Sequence, residues 1–127
     1  MSSKKSILLD SSAWIEIFNQ GPKAKICQKE LDTADTVYVP SLVFFGVYKK
    51  ICQSGSEDIA LKAVAFMSRF HSLDLTRDIA LTAADHSISY KMAMADSFVW
   101  AHALACQAKL ITLDNDFAGL PMVKVIR

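Results

Sequence analysis

Four aspartates stand at the edges of short apolar runs in this chain, and carboxylates placed that way are suited to holding a metal. Asp10 closes the run at residues 7–9. Asp114 closes the run at 110–113, with Asp116 two residues on. Asp96 stands at the amino end of a helical stretch, before Ser97, Phe98, Val99 and Trp100. If the runs are parallel strands, their carboxyl ends share one edge of a sheet, where open α/β sheets bind ligands. Carboxylates that meet there repel, and each resists ionising beside the others. A hard divalent cation, Mg2+ or Mn2+, bound through oxygen relieves that repulsion. Such an ion activates water and stabilises charge on a phosphoryl group, so phosphodiester hydrolysis suits this ligand set best. Each residue alone also has a plainer role. Asp10 and Asp96 are natural helix caps, and Asp114-Asn115-Asp116 is a polar turn.

The elements that must position these residues follow from apolar spacing. A buried strand at 7–9 leads into a helix with Trp14, Ile15, Ile17 and Phe18 on its apolar face. Gly21-Pro22 stops that helix, and another covers 23–33. A strand at 37–39 is closed by Pro40, and Ser41 is placed to cap a helix reaching about residue 53. Ile59, Ala60, Ala63, Val64, Met67 and Phe70 recur at helical spacing across 57–70. A strand at 71–75, a helix at 78–91 with a thin apolar face, and a helix opened by Asp96 follow. Strands at 110–113 and, at an edge, 123–126 complete the chain. Short apolar strands that alternate with helices predict an α/β fold with a parallel sheet.

Composition limits what such a fold does. The chain has 127 residues, 52% hydrophobic and 21% charged, enough apolar side chain for a sizeable core in a single domain spanning 1–127. Lys and Arg number 14 against 13 Asp and Glu, a formal charge of +1. That excludes a polybasic tail but leaves room for a local patch that binds nucleic acid. Cys27, Cys52 and Cys106 match neither a zinc spacing nor a disulfide framework, so a reducing compartment, the cytoplasm, is expected. The start, MSSKKS, is basic, but the apolar run behind it ends at Asp10, too short for a signal peptide. No run approaches the length that crosses a bilayer, and no membrane partner is expected.

The segments bearing the aspartates resemble those of PIN domains, the fold of many metal-dependent nucleases. More narrowly they resemble the VapC toxins of bacterial toxin–antitoxin pairs. LLDSSAWIEIF at 8–18 is similar to the opening strand and helix, with Asp10 as the first catalytic aspartate. VPSLVFF at 39–45 looks like the start of the helix that carries the family's glutamate. ADSFVWAHALACQAKLITLDNDF at 95–117 is the closest match and carries Asp96, Asp114 and Asp116. The resemblance implies a three-layer fold, a five-strand parallel sheet ordered 3-2-1-4-5 between helices. It implies an endoribonuclease toxin that uses Mg2+ or Mn2+, held by Asp10, Asp96, Asp114 and Asp116. Its RNA substrate is often structured, such as transfer RNA. The implied partners are a second copy in a homodimer and a VapB-like antitoxin whose tail covers the acidic groove. Promoter DNA is bound indirectly, through the antitoxin.

The departure is Gly46. In SLVFFGVYKKI the family pattern places its acidic ligand at that position, and glycine offers no side chain to a cation. Two explanations stand: a deliberate change that silences a toxic enzyme, or a natural variant that works weakly or serves another role. Glu16, from the preceding helix, is a third candidate as a partial substitute. A non-catalytic RNA- or protein-binding protein on the same fold is the alternative function. An aspartyl-nucleophile phosphatase is a more distant one, since no aspartate stands two residues after Asp10. Lys49, Lys50, Lys91, Lys109 and Arg77 are candidate phosphate contacts, and Ser11 and Thr112 candidate hydrogen-bond donors to an aspartate. His71, His86 and His102 are scattered, none pairs with a cysteine at metal spacing, and they read as structural or surface residues. The helix with Phe44, Phe45, Val47, Tyr48 and Ile51 is apolar nearly all round, which suggests a face covered by another chain.

Overall fold

Five strands form one all-parallel sheet in a computed structural model that describes residues 4–127; the first three residues of the basic start lie outside it. The strands are β1 (Ser6–Leu9), β2 (Thr36–Pro40), β3 (His71–Leu73), β4 (Lys109–Thr112) and β5 (Val123–Val125). Their order is β3-β2-β1-β4-β5. β1 is central, with Leu8 paired to Tyr38 of β2 on one side and to Leu110 of β4 on the other. Ile7, Leu8 and Leu9 are fully buried. A strand covered on both faces needs a continuous apolar run rather than an alternating one, which is why the sequence reads Ile-Leu-Leu.

Six helices flank the sheet: α1 (Ser11–Phe18), α2 (Ala24–Thr33), α3 (Ser41–Ser54), α4 (Glu57–Met67), α5 (Arg77–Tyr90) and α6 (Met94–Ala105). This is the expected α/β, three-layer arrangement, and the strand order agrees with expectation. The chain winds outward from β1 to β3, then crosses back to β4, so the strand order reverses between β1 and β4. Such a reversal opens a crevice beyond the strands' carboxyl ends. Asp10 and Asp114 stand at that crevice, just past β1 and β4.

Trp14, Trp100 and Phe117 are the largest buried side chains. Trp14 packs against Phe18 at 5.8 Å, Phe66 at 6.2 Å and Phe70 at 5.8 Å between ring centroids. Phe45 departs from the core pattern and is exposed, whereas Phe44 is half-buried.

Several boundaries shift for local reasons. α6 begins at Met94, so Asp96 is its third residue and not its cap; Ala93 holds the cap position without a side-chain hydrogen bond. Pro40, not Ser41, precedes α3, and the Ser41 hydroxyl donates to the Leu73 carbonyl of β3 at 3.2 Å. β3 ends at Leu73, short of Leu75, and α4 ends at Met67. The stop at Gly21-Pro22 is made one residue earlier. Gln20 takes the left-handed conformation (φ 51°), and Gly21 N–H donates to the Glu16 carbonyl at 3.0 Å. Gly21 is small because the Glu16 carboxylate lies where a Cβ would stand.

Candidate metal centre

Asp10 leaves β1 with its backbone N–H still in the ladder, donating to Ile111 at 3.2 Å, and then caps α1. Its Oδ1 accepts from Ala13 N–H at 3.1 Å and from the Ser12 hydroxyl at 2.6 Å. Its Oδ2 accepts from Thr112 at 2.5 Å. Thr112 ends β4, and its hydroxyl oxygen accepts from Asp114 N–H at 2.9 Å. The Ser12 oxygen accepts from Leu113 N–H at 3.0 Å. Two hydroxyls therefore tie the β1–α1 turn to the end of β4. By sequence Ser12 offers only helix-capping chemistry; in the fold its hydroxyl bridges Asp10 and Leu113 instead. Burial pushes the Asp10 carboxyl above its ordinary value, hydrogen bonds from Ser12, Thr112 and Ala13 pull it back, and Asp114 adds a further push upward.

Asp114 closes the turn with its own side chain, which accepts from Asp116 N–H at 2.9 Å, and a short 3-10 segment, Asn115–Phe117, follows. Asp96 enters from the first turn of α6. One carboxylate oxygen from each of Asp96, Asp114 and Asp116 lies within 4.8 Å of the other two. Burial, and then the charges of Asp114, Asp10 and Asp116, raise the Asp96 carboxyl from an ordinary 3.8 to about 6. Among the described residues no ion pair includes any of these four carboxylates.

The structure thus gathers three of the four predicted aspartates directly. Asp10 stands beside them, within electrostatic reach of Asp96 and Asp114, with both of its oxygens occupied by hydrogen bonds. Gly46 lies on the α1 side of the same region. A Cβ there would be 2.5 Å from the Ser11 hydroxyl and 3.2 Å from Ser11 Cβ. Gly46 is therefore packed beside the residue that follows Asp10. Glu16 does not substitute, because its carboxylate accepts from Lys23 N–H at 2.7 Å, at the α1–α2 corner. Lys49 sits over the Phe45 ring at 5.6 Å, Arg77 lies beside Asp78 at 4.0 Å, and Lys109 begins β4, at the sheet's opposite end. Lys91 alone of the candidate cations lines a cavity with Asp96 and Asp116. Of the histidines, His102 is buried, His86 is half-buried against Trp100 at 4.6 Å, and His71 is exposed beside Tyr38 at 5.2 Å.

The donor set fits a hard divalent cation. Ligand oxygens around Mg2+, at about 2.1 Å from the ion, stand roughly 3–4 Å apart. The three aspartate oxygens lie within 4.8 Å of one another, Asp96 and Asp114 half-buried and Asp116 exposed, with no basic partner among the described residues.

Known structures share this architecture. A toxin–antitoxin complex chain from Klebsiella pneumoniae superposes with a TM-score of 0.80 at 23% identity, covering 94% of this chain and 96% of that one. Mycobacterium tuberculosis VapC20, described as a sarcin-ricin loop cleaving toxin, gives 0.79 at 16% identity, with 94% and 98% covered. A chain of Rickettsia felis VapBC2, solved bound to a promoter DNA fragment, gives 0.77 at 15% identity, with 96% and 99% covered. Among curated proteins none matches the chain in sequence. The profile of the PIN domain matches residues 7–121. Because that match runs from β1 to the turn before β5, it takes in every strand-end aspartate described above, and the chain belongs to the PIN domain family.

Proposed function

We propose that the chain is a metal-dependent endoribonuclease toxin of the VapC type, acting in the cytoplasm and weakened by Gly46. The carrying observation is the set of unpaired carboxylates of Asp96, Asp114 and Asp116 beside buried Asp10, where the strand order reverses. Asp96, Asp114 and Asp116 would hold a Mg2+ or Mn2+ ion, with Asp10 beside them as the fourth carboxylate. That ion supplies the positive charge needed by a phosphoryl group and by an attacking water. Thr112 and Ser12 orient Asp10, and the Asp114–Asp116 turn holds two carboxylates on one side of the crevice. RNA, and transfer RNA within that class, is the proposed substrate. A VapB-like antitoxin, a homodimer partner and, through the antitoxin, promoter DNA are the proposed partners. VapBC structures of this architecture, solved with DNA, support the antitoxin and the DNA of that set.

The test restores the missing acid. Gly46→Glu alone meets the Ser11 hydroxyl, so it is paired with Ser11→Gly to make room. The double variant should cleave RNA in Mg2+ at least about tenfold faster than the parent chain, an energy of about 1.4 kcal/mol in the barrier, and EDTA should abolish the gain. No gain in either the single or the double variant would overturn the role given to position 46. The tight Gly46–Ser11 contact favours a second reading, a PIN-like protein that binds RNA or protein without cutting. RNA binding without cleavage in both the parent and the restored variant would select it.

A further inference from the structure

Beside the acidic centre lies a cavity of about 380 Å³ lined by Tyr90, Lys91, Met92, Ala93, Asp96 and Asp116. Its size falls in the range of small-ligand sites, about 300–1,000 Å³. We propose that this cavity is a nucleobase subsite: Tyr90 stacks on an unpaired base of an RNA strand, and Lys91 meets the adjoining phosphate. The proposal rests on the nuclease reading above and names what that centre binds.

Three observations support it. Tyr90 is 50% exposed at the end of α5, a helix that packs on α6. Its ring packs nearly perpendicular to Trp100, at 5.0 Å and 86°, and to His86, at 6.3 Å and 77°. Trp100 is itself anchored, its indole N–H donating to the Pro121 carbonyl at 3.0 Å. An aromatic face fixed in advance loses little side-chain freedom when a base stacks on it. The corner that carries Lys91 is likewise rigid. Lys91 takes the left-handed conformation (φ 55°) and its N–H donates to the Ser87 carbonyl. The same carbonyl accepts from Met92 N–H at 3.2 Å, and the Ser87 hydroxyl donates back to the Met92 carbonyl at 2.7 Å.

The charges in the cavity also favour a nucleotide. Lys91 is exposed and forms no ion pair among the described residues, while Asp96 and Asp116 line the same cavity. A group that combines an apolar flat face with an anion suits a site made of a ring, a lysine and a cation-seeking carboxylate pair. A base inside a duplex has no free face to stack, so the site selects unpaired strand.

The test uses the parent chain with Ca2+ and an oligoadenylate RNA carrying one 2-aminopurine, whose fluorescence falls when the base stacks. The parent should bind and quench the probe, and should bind a blunt RNA duplex at least tenfold more weakly. Tyr90→Leu should weaken binding about tenfold and remove the quenching, while Tyr90→Phe should keep both. Lys91→Gln, at an exposed position that tolerates change, should weaken binding and reduce the salt dependence by about 0.7 in log–log slope, one phosphate contact's worth. Lys25→Ala, on α2 away from this cavity, should change nothing. Parent-like binding and quenching in both Tyr90→Leu and Lys91→Gln, or no binding by the parent, would overturn the subsite. If the Gly46→Glu, Ser11→Gly chain cleaves RNA while Tyr90→Leu binds like the parent, the nuclease reading stands and the subsite fails. If the probe stacks on Tyr90 while the restored chain never cleaves, the subsite stands and the nuclease reading fails.

Discussion

The two ends of the sheet handle charge in opposite ways. At the carboxyl end, Asp96, Asp114 and Asp116 converge with no counter-charge of the protein's own, and Asp96 is held mostly protonated below about pH 6. At the amino end, Lys4, Lys5, Lys109 and Lys124 converge around one acid, Glu30, which is nearly buried. There the charges are paired: Lys5 Nζ lies 2.9 Å from one Glu30 oxygen and Lys124 Nζ 2.5 Å from the other. Burial alone would raise Glu30, but hydrogen bonds and charge from Lys124 and Lys5 outweigh it and hold its carboxyl low. One end thus carries repulsion that a bound cation, or a proton on Asp96, relieves. At the other, Lys5 and Lys124 share the Glu30 carboxylate, which ties α2 to the start of β1 and to β5. Carboxylates that meet without a basic partner mark the end shaped for a cation.

The largest effect that sharpens this contrast comes from a metal. A cation that binds the folded chain and not the unfolded one stabilises it by about 2.7 kcal/mol when present at 100 times its dissociation constant. Mg2+ or Mn2+ should therefore raise the melting temperature by several degrees at neutral pH. Asp114→Asn should remove that rise while making the metal-free protein more stable, because one repelling charge is gone. A metal-induced rise that survives in Asp114→Asn would place the cation elsewhere.

A smaller effect is expected at the opposite end. Glu30→Gln keeps the size of the side chain but leaves Lys5 and Lys124 without their carboxylate. Both lysines are partly exposed and turn to water, so the loss is the charge-assisted hydrogen bonds, about 2 kcal/mol. Urea unfolding should show that loss with no change in Mg2+ affinity. A fall in Mg2+ affinity of comparable size would mean that the two ends are not separate.

The acidic end was more legible in the sequence than the lysine end, for a physical reason. Asp10 and Asp114 each follow a short apolar strand, and the rule that parallel sheets bind ligands at their carboxyl ends turns that local pattern into a place in space. Asp96 was legible as a residue near a helix start but not as a third helical residue, because Ala93 and Met94 carry no capping signal. The Lys5–Glu30–Lys124 cluster joins residues from three distant elements, and no periodicity announces it. The closeness of Ser11 to Gly46 was hidden in the same way: the sequence shows only a glycine within a helix, and packing shows the side chain that stands where its Cβ would lie. Tyr90 reads as one more aromatic on a helix of thin apolar face until Trp100 and His86 are seen to hold its ring in place.

Acidity separates the two ends by sign, and this is the smallest of the expected effects. The Asp96 carboxyl is raised in the folded protein from 3.8 to about 6. Its contribution to stability is therefore fully present below about pH 4 and is lost as pH rises through 6. Asp10, raised chiefly by burial, acts in the same direction. Glu30 is lowered instead, so its contribution is present above its ordinary value of 4.5 and is lost as pH falls through its folded value. The metal-free protein should be most stable in a window near pH 4–5 and lose on the order of 1–2 kcal/mol toward neutrality, less than the full shift because solvent screens Asp96. Thermal melts in EDTA across that range would show the maximum. Asp96→Asn should flatten the neutral limb, Glu30→Gln should flatten the acid limb, and Mg2+ should restore stability at neutral pH only. A melting temperature that climbs steadily from about pH 4.5 to 7 in EDTA would mean that the carboxylates do not repel, and the contrast between the two ends would be lost.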